Sequence, residues 1–164
     1  MLKNSVFWFA IIFSFVASSS ACAVENCVFS EEAISEKQFS DNKSIAVFQW
    51  FPKSNEVKGV LSNGNLFSVK HWSCNHYGKQ AIMVIGPQMQ SIPSELNDLV
   101  MYLGKIALSE REFQLLTNAI EDKPLKLSDS PIKLRITSND FDEFYIKINI
   151  IDEVVFIEIK LYKT

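Results

Sequence analysis

The spacing of apolar residues changes period twice along this chain of 164 residues, and those changes restrict the folds open to it. From Ile45 to Pro87 the pattern is that of strands. From Leu96 to Ile120 apolar residues recur at helical spacing, and from Ile132 to Leu161 they alternate with polar ones. Strands and helices segregated in this order predict an α+β fold. An antiparallel β-sheet, from an N-terminal four-strand segment and a C-terminal three-strand meander, packs with two central amphipathic helices and a short N-terminal helix. No repeat, linker or low-complexity stretch divides residues 24–164, which are expected to form a single domain.

Within the first block, Ile45–Phe51 is rich in strand formers and stops at Pro52. Val57–Leu61 and Leu66–Cys74 flank Asn63-Gly64, a dipeptide suited to a type I′ hairpin turn; that turn sets Leu61 opposite Leu66 and Val60 opposite Phe67. Gly78 then turns the chain into Gln80–Ile85, whose continuous run AIMVI predicts a central strand covered on both faces.

Ahead of this block, Phe29 to Phe39 reads as a short helix, with Ser30 as N-cap and Glu31 and Glu32 in the first turn. Asp41 to Ser44 breaks it, and Asn42 heads an N-x-S sequon. In the middle block, Leu96, Leu99, Val100, Leu103, Ile106 and Ala107 form one helical stripe. Ser109-Glu110-Arg111-Glu112 is a capping box for the next helix, whose inner face is expected at Phe113, Leu116 and Ile120. In the last block, a two-residue turn at Asp152-Glu153 brings Phe144, Ile146, Ile148 and Ile150 opposite Leu161, Ile159, Ile157 and Val155. The same register sets Lys147 against Glu158 and Tyr145 against Lys160. That turn lacks the Gly or Asn such turns favour.

Residues 1–23 carry an address. Lys3 precedes the apolar run Val6 to Val16, and Ala21-Cys22-Ala23 is an A-x-A cleavage pattern. This run of 11 residues falls short of the roughly 20 needed to span a bilayer. The expectation is an exported, periplasmic or secreted protein beginning at Val24. A degenerate lipobox at Ser19 to Cys22 offers an alternative, with a lipid anchor on Cys22. After processing, Cys27 and Cys74 are the remaining cysteines, expected to pair as a disulfide in an oxidising compartment. A formal net charge of −3, with bases and acids interspersed, argues against nucleic acid or an anionic membrane surface as partner.

Both histidines lie in His71-Trp72-Ser73-Cys74-Asn75-His76-Tyr77, the one dense cluster of functional residue types. A Cys74 nucleophile with an imidazole base is one reading. The competing reading places Cys74 in the disulfide and the histidines in packing or solvent. His71 and His76 are five apart, a spacing that matches no common metal motif. Asp140, Asp142 and Glu143 crowd one loop without the spacing of a calcium site. The sequence therefore calls for no catalytic residue, metal or cofactor. It suggests a small exported non-enzymatic protein-binding domain, with an inhibitor or immunity type as one form of it, acting on another envelope protein through Trp72, Asn75, His76 and Tyr77. The alternatives are a small envelope hydrolase using His71 or His76 with Asp140 or Asp142, and a lipid-anchored structural subunit.

Overall fold

The structure, a computed structural model, describes residues 34–73, 76–87, 96–126 and 131–164. Its frame is a seven-stranded antiparallel sheet of order β1-β2-β3-β4-β7-β6-β5. The strands are β1 (Ile45–Phe51), β2 (Glu56–Leu61), β3 (Leu66–Ser73), β4 (Tyr77–Ile85), β5 (Ile132–Arg135), β6 (Glu143–Ile151) and β7 (Val154–Lys163). The first four strands form one meander and the last three another. They join where β7 pairs with β4, from Tyr77 opposite Lys163 to Ile85 opposite Val155. The α+β reading is thereby met.

Three helices lie against one face of this sheet: α1 (Glu36–Ser40), α2 (Leu96–Ala107) and α3 (Glu110–Asp122). All six residues of the expected α2 stripe are buried. The helix packs on β4 and β7, where Met83, Ile85, Ile157 and Ile159 are fully buried. α3 packs on α2 at Gly104, where a Cβ would overlap the buried Leu116 side chain, so the small residue sets how closely the two helices approach. Its capping box forms, with the Ser109 N–H donating to Glu112 Oε2 at 2.7 Å. Leu116 and Ile120 are buried as expected, Phe113 only half so, and Glu112 takes a buried position beside them. Phe39 of α1 stacks on Trp50 and Phe67 and lies tilted against Phe48.

Several local expectations are corrected. The N-terminal helix does not run unbroken from Phe29 to Phe39, because Ile34 is not helical, Ser35 is extended and the helix begins at Glu36. Ile34 is instead a buried core residue whose N–H donates to His71 Nδ1, a tertiary contact that overrides local helix preference. Ser30, Glu31 and Glu32 lie outside the described residues, as do Cys22, Cys27, Cys74, Asn75 and the whole N-terminal address.

The β2–β3 register differs by one residue from expectation: Val60 faces Leu66, and Gly59 faces Phe67. The loop has three residues rather than two. Gly64 N–H donates to Leu61 O, Leu61 N–H to Asn65 O, and Gly64 alone takes positive φ, at +86°. This is a turn followed by a glycine bulge. Gly78 does not turn the chain but sits within β4, with the Trp72 indole lying where its Cβ would be. β4 is central, yet it is covered on one face only: Ala81, Met83 and Ile85 are buried, Ile82 and Val84 half-exposed.

The C-terminal hairpin has the register expected of it, including Lys147 opposite Glu158 and Tyr145 opposite Lys160. Asp152 (φ 47°) and Glu153 (φ 67°) both occupy the left-handed region, so two ordinary residues make a type I′ turn. A residue with a Cβ costs roughly 1–2 kcal/mol there. Glu153→Gly is accordingly expected to stabilise the protein by about 1 kcal/mol in urea unfolding. An unchanged or lowered midpoint would mean that this turn carries no such strain.

Candidate functional site

The residues singled out from the sequence divide between the two faces of the sheet. Trp72 lies half-buried over Gly78 on the face away from the helices. Beside it Tyr162, the cross-strand neighbour of Gly78, holds the exposed His76 with ring centroids 5.7 Å apart. Tyr77 points the other way, toward the helices. Its ring meets His71 edge-on at 5.0 Å, and its hydroxyl donates to Glu112 Oε1 at 2.5 Å. The four residues therefore do not share one surface.

On the helix side, a polar cluster is built into the core. Lys79 faces His71 across the β3–β4 ladder and pairs with Glu112 at 2.8 Å. His71, Lys79 and Glu112 are all buried. Glu112 Oε2 also takes the Ser109 N–H, so the helix cap and the ion pair share one oxygen. Burial alone would raise the Glu112 pKa. The Lys79 charge and the hydrogen bonds from Lys79, Tyr77 and Ser109 outweigh it and hold the carboxyl below its ordinary value. Deleting either partner of such a pair leaves a buried charge, at a cost of about 3–5 kcal/mol.

His71 accepts the Ile34 N–H at Nδ1 (3.3 Å), which places its proton on Nε2. Nε2 has no hydrogen-bond partner. Burial first, then the Lys79 charge, pushes the imidazole down to about pKa 4 against a weaker opposing pull from Glu112. Sequence reasoning missed Lys79 and the role of Glu112. The capping box marked Glu112, but its partner is 33 residues away.

A cleft of about 520 Å³ opens beside this cluster, lined by Tyr77, Ser109, Arg111, Glu112, Asp140 and Phe141 among others. The carboxylates of the hydrolase alternative do not converge there with an imidazole. Asp140 pairs with Arg111 at 2.6 Å, and Asp142 accepts from the Thr164 backbone N–H and hydroxyl. The Asp142 carboxyl is held below its ordinary value by those Thr164 bonds. Glu112 accepts three hydrogen bonds from protein groups, and its depressed pKa makes it a poor acid near neutrality. As arranged, the cluster anchors α3 and the N-terminal segment to the sheet.

Among the described residues, no helix covers the opposite face of the sheet. Across five strands the ladders set Val47, Val60, Leu66, Val84 and Phe156 side by side as one apolar row. Val47 is 60 % exposed and Leu66 53 %. Part of this face is concave, a groove of about 470 Å³ lined by Phe51, Lys58, Leu66, Ser68, Ile82 and Val84 among others. The next row reads Gln49, Lys58, Ser68, Ile82, Glu158, Lys147 and Lys133, and the one after it Phe51, Glu56, Lys70, Gln80, Lys160, Tyr145 and Arg135.

The fold and its two faces define an α+β domain with helices layered on one side of the sheet and a mixed apolar and basic surface on the other. Comparison with protein-family models, curated proteins and solved structures finds no match to the chain. Among the described residues, no helix is long and apolar enough to cross a membrane.

The buried cluster gives the protein a defined acid response. The unfolded His71 binds a proton near pH 6.5 and the folded one only near 4, so its contribution to stability is complete above pH 6.5 and is lost as pH falls toward 4. The lowered Glu112 pKa adds a loss that begins below its ordinary value of 4.5. Unfolding free energy measured in urea is expected to fall between pH 6.5 and 4, and His71→Phe to flatten that slope. An equal slope in the variant would show that His71 is not the titrating group.

Proposed function

We propose that this protein is an exported, non-enzymatic protein-binding domain, and that the open face of its sheet is the binding surface. One observation carries the reading: in the apolar row Val47–Val60–Leu66–Val84–Phe156, Val47 and Leu66 are exposed and the other three half-exposed, on a sheet whose other face carries the hydrophobic core. Contiguous apolar surface of this kind, rimmed by polar groups, is typical of a protein interaction site. Trp72 and His76 belong to the same face and extend it toward Tyr162, whereas Tyr77 belongs to the core cluster. The export pattern of residues 1–23 supports a partner in the cell envelope, and an inhibitor or immunity role there is compatible with the polar groups of the cleft being engaged with one another.

The test is affinity capture of the exported protein from its own cells, read by mass spectrometry. One stoichiometric envelope partner is expected, lost with Leu66→Glu or Val47→Glu and kept with Arg111→Glu on the helix side. Because Leu66 and Val47 are more than half exposed, both variants are expected to fold. Capture indifferent to the face variants but lost with Arg111→Glu would move the site to the cleft and overturn the reading. The same spectra report the first residue: Val24 for simple export, or a diacylglyceryl-modified Cys22 for the lipid-anchored alternative.

A further inference from the structure

The composition of the open face narrows the partner beyond a protein of unspecified shape. Along each single strand the apolar contact is one or two residues long, with Ile82 beside Val84 on β4 before Gln80 and Val154 beside Phe156 on β7. β2 passes from Val60 to Lys58 and Glu56, β3 from Leu66 to Ser68 and Lys70, and β7 from Phe156 to Glu158 and Lys160. Across the strands it is continuous for five of them, about 19 Å at the usual spacing of about 4.8 Å. An occupant that buries this row therefore lies across the strands. Seated on a sheet face, it finds no backbone donors or acceptors there, since those are spent within the ladders. Its own backbone must be satisfied internally, which is the property of a helix. A helix of about 13 residues spans the row.

Charge sets which helix. The two rows beside the apolar one carry six basic side chains, Lys58, Lys70, Lys133, Lys147, Lys160 and Arg135, against the two acids Glu56 and Glu158. Glu56 pairs with Lys58 at 3.1 Å and Glu158 accepts from Gln80 at 2.6 Å, so six bases less two acids leave the two rows a net charge of +4. Lys133 stands directly opposite Lys147, a like-charge pairing that a neighbouring anion would relieve. This basic band sits on a chain whose total charge is −3, so the charge is concentrated rather than general.

We infer that the open face binds an amphipathic helix of a partner protein, laid across β1, β2, β3, β4 and β7, with its apolar stripe on the Val47–Phe156 row and acidic residues along the flank that faces the lysines. The inference rests on the open-face reading and adds to it the partner's secondary structure, orientation and charge. The concave groove over Leu66, Ile82 and Val84 favours a protruding helix over the flat surface of a membrane.

The experiment uses the exported, processed protein and two peptide probes of about 14 residues. Both carry leucine at i, i+3, i+4, i+7 and i+11; one has glutamate along one flank and the other has lysine there. Fluorescence anisotropy is expected to show the glutamate peptide binding about tenfold or more tightly than its twin and weakening with added salt. Leu66→Glu should cost about tenfold or more in that affinity, and the double variant Lys58→Glu/Lys147→Glu should reverse the preference between peptides. Equal binding of the two peptides, or preference for phosphatidylglycerol vesicles over both, would overturn the proposal. So would self-association of the protein that Leu66→Glu abolishes. If neither peptide binds while Leu66→Glu still abolishes capture of the cellular partner, the helix falls and the open-face reading stands. If neither measurement responds to Leu66→Glu, both fall.

Discussion

The pairing of β4 with β7 is the constraint on which the molecule depends. These strands are far apart in sequence, and their nine-position ladder turns two separate meanders into one sheet. Met83, Ala81, Ile157 and Ile159 meet along it on one side and form the floor on which α2 packs. Because both strands are long and apolar on that side, a slip of one residue would send the whole buried set to the other face. The crossover through α2 and α3 delivers the chain to the far edge, from which β5, β6 and β7 return to the centre.

One-sided coverage follows from this arrangement and organises the chemistry. The helix side absorbs the titratable groups that burial would otherwise penalise: Glu112 accepts hydrogen bonds from Tyr77, Lys79 and the Ser109 backbone, and the neutral His71 accepts the Ile34 N–H. The open side keeps half-exposed apolar residues in one transverse row with lysines beside it. Polar groups bonded to one another on the first side, and a half-exposed apolar row on the second, are the physical basis for proposing a binding surface on the open face.

Much of the fold was legible because independent signals coincided. In the β6–β7 hairpin, four apolar pairs and two outer pairs demanded the same register, so an unfavourable Asp152-Glu153 turn could not displace it. At Asn63-Gly64 only the local dipeptide spoke, and it does not distinguish a two-residue turn from a three-residue loop with a bulge; the register moved by one. The run AIMVI announced a central strand but not how many faces are covered, since Ile82 and Val84 read alike whether a helix or solvent lies above them. The candidate site was less legible. Trp72 and Tyr77 are close in sequence yet belong to opposite faces, while the apolar row is assembled from one residue on each of five strands. It exists only once four registers are known, and single-strand periodicity contains none of them.

Hydrogen–deuterium exchange on the protein alone and bound to its captured partner tests the central claim most directly. The account predicts added protection in the strands that carry Val47, Val60, Leu66, Val84 and Phe156, with α3 and the cleft at Arg111 and Asp140 unchanged. Protection confined to α3 and that cleft would contradict it.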